Sequence, residues 1–246
     1  VDKPVVSDPA IRRAINMAVN RDAMVRATWF GTATPATAYL NPAVTGFDAQ
    51  AASLVPHFDQ AGARRVLDEA GWAMGPDGVR VKDGQRATFL VYGIQTQAAQ
   101  QYLQAMQADL RRIGLEMRIQ MWDATVGWGR LATQEFDAFV MSYPYVTATD
   151  ALSLYFLSGN RPTPNRMNWN DPATDTALRD AQTAIDPAAR TAAIANAQRI
   201  VAEANVWFPV AREQLWLASS ARTEGVRAHG IYGVGLYKGL DIRLTR

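Results

Sequence analysis

The chain has 246 residues, 48% hydrophobic and 20% charged, with a formal net charge of +2 and no cysteine. That length buries the core of one large α/β domain, or of one domain plus part of another, and Lys and Arg interleaved with Asp and Glu leave no basic run for nucleic acid or an anionic membrane. The lack of cysteine excludes disulfides, thiol catalysis and thiolate-held metals, and no apolar run approaches the length of a membrane span.

In chain order, Asp8 and Pro9 open the first predicted helix. Asp8 suits the N-cap, and the fixed φ of Pro9 suits the first helical position. Ile11, Ala14, Ile15, Ala18 and Val19 then recur at helical spacing opposite Arg12, Arg13, Asn16 and Asn20. From Asn20-Arg21-Asp22 through Trp29-Phe30-Gly31, and on to Pro56, no period holds, so the segment reads as an irregular crossing. Asp59 caps a second helix carrying Ala63, Val66, Leu67 and Ala70, and Gly71 stands where a left-handed C-cap falls. Asp77-Gly78 and Asp83-Gly84 bracket Val79-Arg80-Val81-Lys82, and an apolar run from Ala87 to Tyr92 follows. This predicts a tight hairpin with positive φ at Gly84, where the sheet begins.

Ala99, Tyr102, Leu103, Met106, Leu110 and Ile113 mark a helix that Gly114 ends, after which Leu115 to Met121 alternates as a half-exposed strand. Asp123 caps a short helix from Ala124 to Thr133, and a strand starts at Phe136; the order is βαβαβ. From Ala138 to Met141 the run is apolar on consecutive residues, the pattern of a central strand buried on both faces of a mostly parallel sheet. A long polar, aromatic loop is expected from there to Pro172. Asp171-Pro172 and Asp186-Pro187 then start two helices, Val206–Val210 and Leu215–Ala218 read as strands, and a Gly-rich tail from Gly225 to Arg246 reads as part of another structural unit.

Open α/β sheets bind ligands beyond the carboxyl ends of their strands. The residues expected there are Tyr143, Tyr145, Asp150, Arg161, Asn165 and Arg166, with Trp128 bordering the same crevice, a mixture suited to recognition more than to catalysis. His57 and His229 are the only histidines and lack the partners a zinc site needs, so no metal is expected. No nucleophile elbow is present, and the glycine pattern from Gly233 to Gly239 is one residue too long for a dinucleotide fingerprint. Asp68-Glu69 and Asp171 with Asp175 are carboxylate pairs better explained by helix positions and capping, although a small α/β hydrolase using loop carboxylates is the alternative they leave open.

Five ordered blocks carry a family resemblance. Asp8 to Arg21, Phe58 to Trp72, Leu110 to Leu115, Phe136-Asp137 and Asn165 to Asp175 resemble, in order, segments of the family 5 extracellular solute-binding proteins, the peptide, nickel and oligopeptide-binding components of ABC importers. The resemblance implies a periplasmic binding protein-like fold of type II, with two α/β lobes closing on a ligand. Residues 1–206 would be the second lobe, with the βαβαβ core, and 207–246 the return through the hinge to the first. It implies a periplasmic protein whose export signal lies outside this chain, a small peptide-like or other solute, permease subunits in the inner membrane as partners, no cofactor and no catalytic residue. In oligopeptide-binding members a Trp seven residues after the strand's Phe precedes, by three residues, an Asp that pairs with the peptide's ammonium group. Counting from Phe136, those positions hold Tyr143 and Val146, so the resemblance implies a ligand without a free amino terminus, or one held by Asp150 instead.

Overall fold

The computed structural model describes residues 1–142, 145–214, 216–227 and 242–245. As its capping chemistry requires, Asp8 accepts from the Ala10 amide and Pro9 starts α1 (Pro9–Ala18). The expected irregular crossing instead begins with a helix, α2 (Arg21–Trp29), capped by Asn20. Its buried residues, Arg21, Met24, Val25 and Thr28, make a stripe that is half polar, which hides the period. β1 (Ala33–Pro35) and α3 (Ala49–Ala52) follow, then α4 (Gln60–Glu69), with Asp59 as its cap and Gly71 at a φ of 84° beyond its end.

β2 (Ala73–Met74), β3 (Arg80–Lys82) and β4 (Gln85–Arg86) form an antiparallel sheet. Asp83 and Gly84, at φ 49° and 79°, make the predicted hairpin turn, a geometry in which glycine carries no Cβ penalty. Ala87, fully buried, joins this ribbon to the next sheet: its amide donates to Arg80 O (2.8 Å) and its carbonyl accepts from Glu116 N (2.9 Å).

β5 (Thr88–Ile94), α5 (Gln97–Arg111), β6 (Glu116–Trp122), α6 (Ala124–Ala132) and β7 (Ala138–Phe139) realise the expected βαβαβ order, with strands parallel in the order β6-β5-β7. The central strand is β5, not the 138–141 run. β5 pairs with β6 from Thr88 to Ile94, whereas β7 pairs with it only at Val91 and Tyr92 and lies at the sheet edge among the described residues. The unbroken apolar run has a physical cause all the same. Ala138 and Val140 pack on the main core with α1, α4 and α5, while Phe139 and Met141 pack on the opposite face with Tyr92, Leu131 and Phe136. Both faces are covered, but 138–141 is only half-buried.

A helix, α7 (Ala148–Phe156) capped by Thr147, occupies the middle of the expected long loop. Ala148, Ala151, Leu152, Tyr155 and Phe156 are buried, at the spacing of one helix face. α8 (Pro172–Thr183) and α9 (Pro187–Glu203) start at the two Asp-Pro steps, and with α7, Leu40 and Val44 they enclose a second core. The strand expected at 206–210 does not form. Three side chains hold this stretch instead: Arg12 Nε donates to Ala204 O (3.0 Å), Asn16 Nδ2 to Trp207 O (3.1 Å) and Arg21 Nε to Pro209 O (3.0 Å). β8 (Ala211–Glu213) then pairs antiparallel with β1, and β9 (Thr223–Glu224) pairs with β10 (Arg243–Leu244). Trp216 to Ala218 form no strand, while Leu215, His229 and the Gly233–Gly239 stretch lie outside the described residues.

Candidate ligand-binding site

α6 begins directly after the carboxyl end of β6, with Asp123 accepting from the amide (2.9 Å) and hydroxyl (2.5 Å) of Thr125. These bonds hold the Asp123 carboxylate below the usual range. Gly127 lets the helix press on the strand ends, because a Cβ there would come within 2.3 Å of Ile94 Cδ1 and 3.4 Å of Trp122 Cβ. One residue on, Trp128 is turned outward and is 47% exposed. The guanidinium carbon of Arg166 lies 5.8 Å from the centre of its ring, within cation–π range.

The segment 157–171 positions Arg166, and Asn165 sets its shape. Asn165 is fully buried: its Nδ2 donates to Leu157 O (3.1 Å) and Trp169 O (2.8 Å), its Oδ1 accepts from Trp169 N (3.0 Å), and its amide donates to Asn160 O (3.0 Å). Its side chain is therefore spent on the loop's own backbone. Gln134, on the turn between α6 and β7, braces the loop from outside, accepting from Asn168 Nδ2 at 2.8 Å and donating more weakly to Arg166 O at 3.4 Å. Arg161 is exposed, with its Nε on Ser158 O (2.9 Å).

Two of the remaining expected residues make their described contacts elsewhere. Tyr145 is half-buried and meets Tyr155 edge-on, their rings 5.7 Å apart, in the second core that also holds Trp207. Asp150 is exposed in the first turn of α7, and its amide is capped by Thr147 Oγ1 (3.0 Å). Tyr143 lies outside the described residues. Of the seven candidates, the described contacts bring Arg166 and Trp128 together. Gln134 and Asn168, which brace that pair, and Arg130, stacked at 4.6 Å on Trp122, were not legible as site residues. Their shared signal is a polar or cationic side chain close to a tryptophan in the chain, which is too common to single out.

The carboxylate pairs serve structure. Asp171 accepts from the amide and hydroxyl of Thr174 at the start of α8, Asp175 accepts from Ser158 and Arg179, and Asp68 pairs with Arg80. Among the described residues no group of three or more His, Cys, Asp or Glu could hold a metal ion. A cavity of about 20 Å³ between α3, α7 and α9, beside Tyr39 and Gln198, has room for about one water, and none of the seven candidates lines it.

The architecture is that of one lobe of a type II periplasmic binding protein. The oligopeptide-binding protein AppA of Bacillus subtilis, solved with a nonapeptide, superposes with a TM-score of 0.81 at 21% identity over 98% of this chain and 48% of that one. NikA of Brucella suis, solved with Fe(III)-EDTA, gives 0.71 at 27% identity over 86% of this chain and 43% of that one. The model of the bacterial extracellular solute-binding proteins, family 5 (middle), matches residues 1–165, and the chain belongs to this family. Glutathione-binding protein GsiB of Salmonella typhi is 33% identical over 233 residues, covering 89% of this chain, and Protein XP55 of Streptomyces lividans is 32% identical over 210 residues, covering 83%. The chain spans 42% of the length of GsiB and 38% of XP55.

Proposed function

We propose that the chain is the second lobe and hinge return of a two-lobed solute-binding protein that serves an ABC importer. Residues 1–206 form the ligand-binding lobe, and 207–246 lead back to a first lobe, with 207–213 fastened along the second by Asn16, Arg21 and the β1–β8 pairing. The observation that carries this reading is the match to less than half of each relative by a chain that nonetheless holds two closed cores. The protein works in the periplasm, delivers a peptide-like solute to permease subunits in the inner membrane, and uses no cofactor and no catalytic residue. A solute that contacts both lobes stabilises the closed arrangement by its differential affinity, and the transporter reads that closure.

The relatives' names favour glutathione and short peptides as first probes. Calorimetric titration of the full-length protein with each should give saturable one-to-one binding with no turnover of the solute. Hydrolysis of a bound peptide would sink the reading, and indifference to every peptide-like solute would strike the peptide-like solute from it. Engagement of Asp68, Asp171 and Asp175 in structural bonds argues against the hydrolase.

A further inference from the structure

Arg166 is a half-buried cation that finds no counter-ion among the described residues. Its Nε is closed off from water and donates to nothing, and its guanidinium enters no ion pair among the described residues. The acids on the elements that frame it are engaged elsewhere. Asp123 is bonded to Thr125, Asp137 to the Leu90 amide, Asp171 to Thr174, Asp175 to Ser158 and Arg179, and Asp2 to Asn168. Glu135, exposed on the neighbouring turn, makes no ion pair with it. A buried donor left unpaired is costly, so the described residues leave this cation under-satisfied, and an anion at the terminal nitrogens of the guanidinium would balance its charge. The loop also holds Arg166 still, with Asn165 locked next to it, Gln134 on its carbonyl and Trp128 beneath its guanidinium. Much of the entropy cost of ordering a long side chain is thereby met before any ligand arrives. Val146, 44% exposed, offers nothing to an ammonium group.

We infer that Arg166, seated on Trp128, reads a carboxylate of the solute, so that this lobe selects an acid through its negative end. The inference rests on the proposed solute-binding function and names the chemistry of its ligand. A planar guanidinium matches a carboxylate with paired hydrogen bonds, and the Trp128 ring, 5.8 Å from the guanidinium carbon, adds a cation–π contact that helps hold it in place. Lysine at 166 would keep the charge and lose the fork.

The test uses the full-length protein and two kinds of probe. Short N-acetylated peptides are titrated calorimetrically as free acids and as C-terminal amides, and glutarate and glutaramide are compared by thermal shift at millimolar concentration. Wild type, Arg166→Gln and Arg166→Lys are run in parallel. The acid should bind roughly 10- to 100-fold more tightly than the amide in wild type, the span expected for one charge-assisted contact. Arg166→Gln should erase that ratio, Arg166→Lys should restore part of it, and glutarate alone should raise the melting temperature of wild type. Peptides that bind equally as acid and amide, or an acid preference that survives Arg166→Gln, overturn the inference while leaving the solute-binding reading intact. If no peptide binds but an Arg166-dependent glutarate shift appears, the peptide-like solute is wrong and the carboxylate site stands. If no probe binds at all, both fail. Should Arg166→Gln not fold, the acid-to-amide ratio of Arg166→Lys decides: an undiminished ratio counts against the fork.

Discussion

Replacing Asn165 with Ala separates a structural clamp from a ligand contact. The substitution removes two donations, to Leu157 O and Trp169 O, and one acceptance, from the Trp169 amide, at a residue with no solvent exposure. Two carbonyls and one amide then lose their partner in a place that water reaches only if the loop opens. With each unsatisfied buried group costing about 1–3 kcal/mol and some relief from local opening, the loss should be about 3–5 kcal/mol. Arg161→Ala removes one exposed bond, to Ser158 O, and should cost less than about 1 kcal/mol. Urea unfolding of both variants, compared at constant m-value, reads the difference directly. Asn165→Asp sharpens the comparison. It keeps an acceptor for the Trp169 amide but sets an oxygen against two carbonyls, so it should be destabilised at neutral pH and partly relieved in acid. An Asn165→Ala protein with an unchanged midpoint and a solute affinity reduced tenfold or more would refute the clamp and make Asn165 a ligand residue.

Arg80 is a second clamp: 2% exposed, it donates to Ile113 O (2.7 Å), Trp72 O and the exposed Asp68 (2.5 Å), so Arg80→Met should cost about 2–5 kcal/mol and Asp68→Asn less than about 1, with similar losses in chemical denaturation counting against it. At Asp8, burial disfavours the charge, but bonds from Lys82, Trp72 and the Ala10 amide outweigh it and hold the carboxyl below its ordinary range. The stability this adds is complete above the unfolded-state value of about 3.9 and lost as pH falls through the lower folded value; the gap in unfolding free energy between wild type and Asp8→Asn should therefore close in that acid window, and a gap independent of pH would refute the linkage. The resemblance implies that Val146 takes the place of a carboxylate that would meet an ammonium, so unless Asp150 substitutes for it the full-length protein should bind a peptide no more tightly than its N-acetylated form; calorimetry showing a strong preference for the free amine that survives Asp150→Ala overturns this.

What the sequence made legible was local. Asp-Pro steps at 8, 171 and 186, and Asp83-Gly84 in the hairpin, act within a few residues of themselves, so their elements appear where capping and turn chemistry put them. The centre of the sheet was not legible, because β5 and the 138–141 run are both apolar and their order depends on pairing across a long separation. α7 was legible in principle: Ala148, Ala151, Leu152, Tyr155 and Phe156 keep helical spacing, but they sit among Tyr, Thr and Asp in a segment whose flanks read as loop. Tyr145 shows the same limit, since an aromatic beyond a strand end suits a ligand face and a core equally, and its edge-on contact with Tyr155 places it in the core.

Asn165 and Arg166 show how two residues shortlisted side by side as ligand contacts can differ in what the structure does with them. They are neighbours, both polar, and equally plausible as ligand contacts. Yet Asn165 spends its side-chain amide on the backbone of its own loop, and Arg166 has neither an ion pair nor an acceptor for its Nε among the described residues. The second outcome depends on the first. A long cation held half-buried over a tryptophan would otherwise lose its place to side-chain entropy, and the buried amide beside it supplies the rigidity that makes the unpaired charge tolerable. Substituting the clamp should therefore lower solute affinity through the disorder of Arg166, while substituting Arg166 should leave the clamp and the fold standing. That asymmetry, a coupling in one direction between adjacent residues, distinguishes a positioned anion site from two independent ligand contacts.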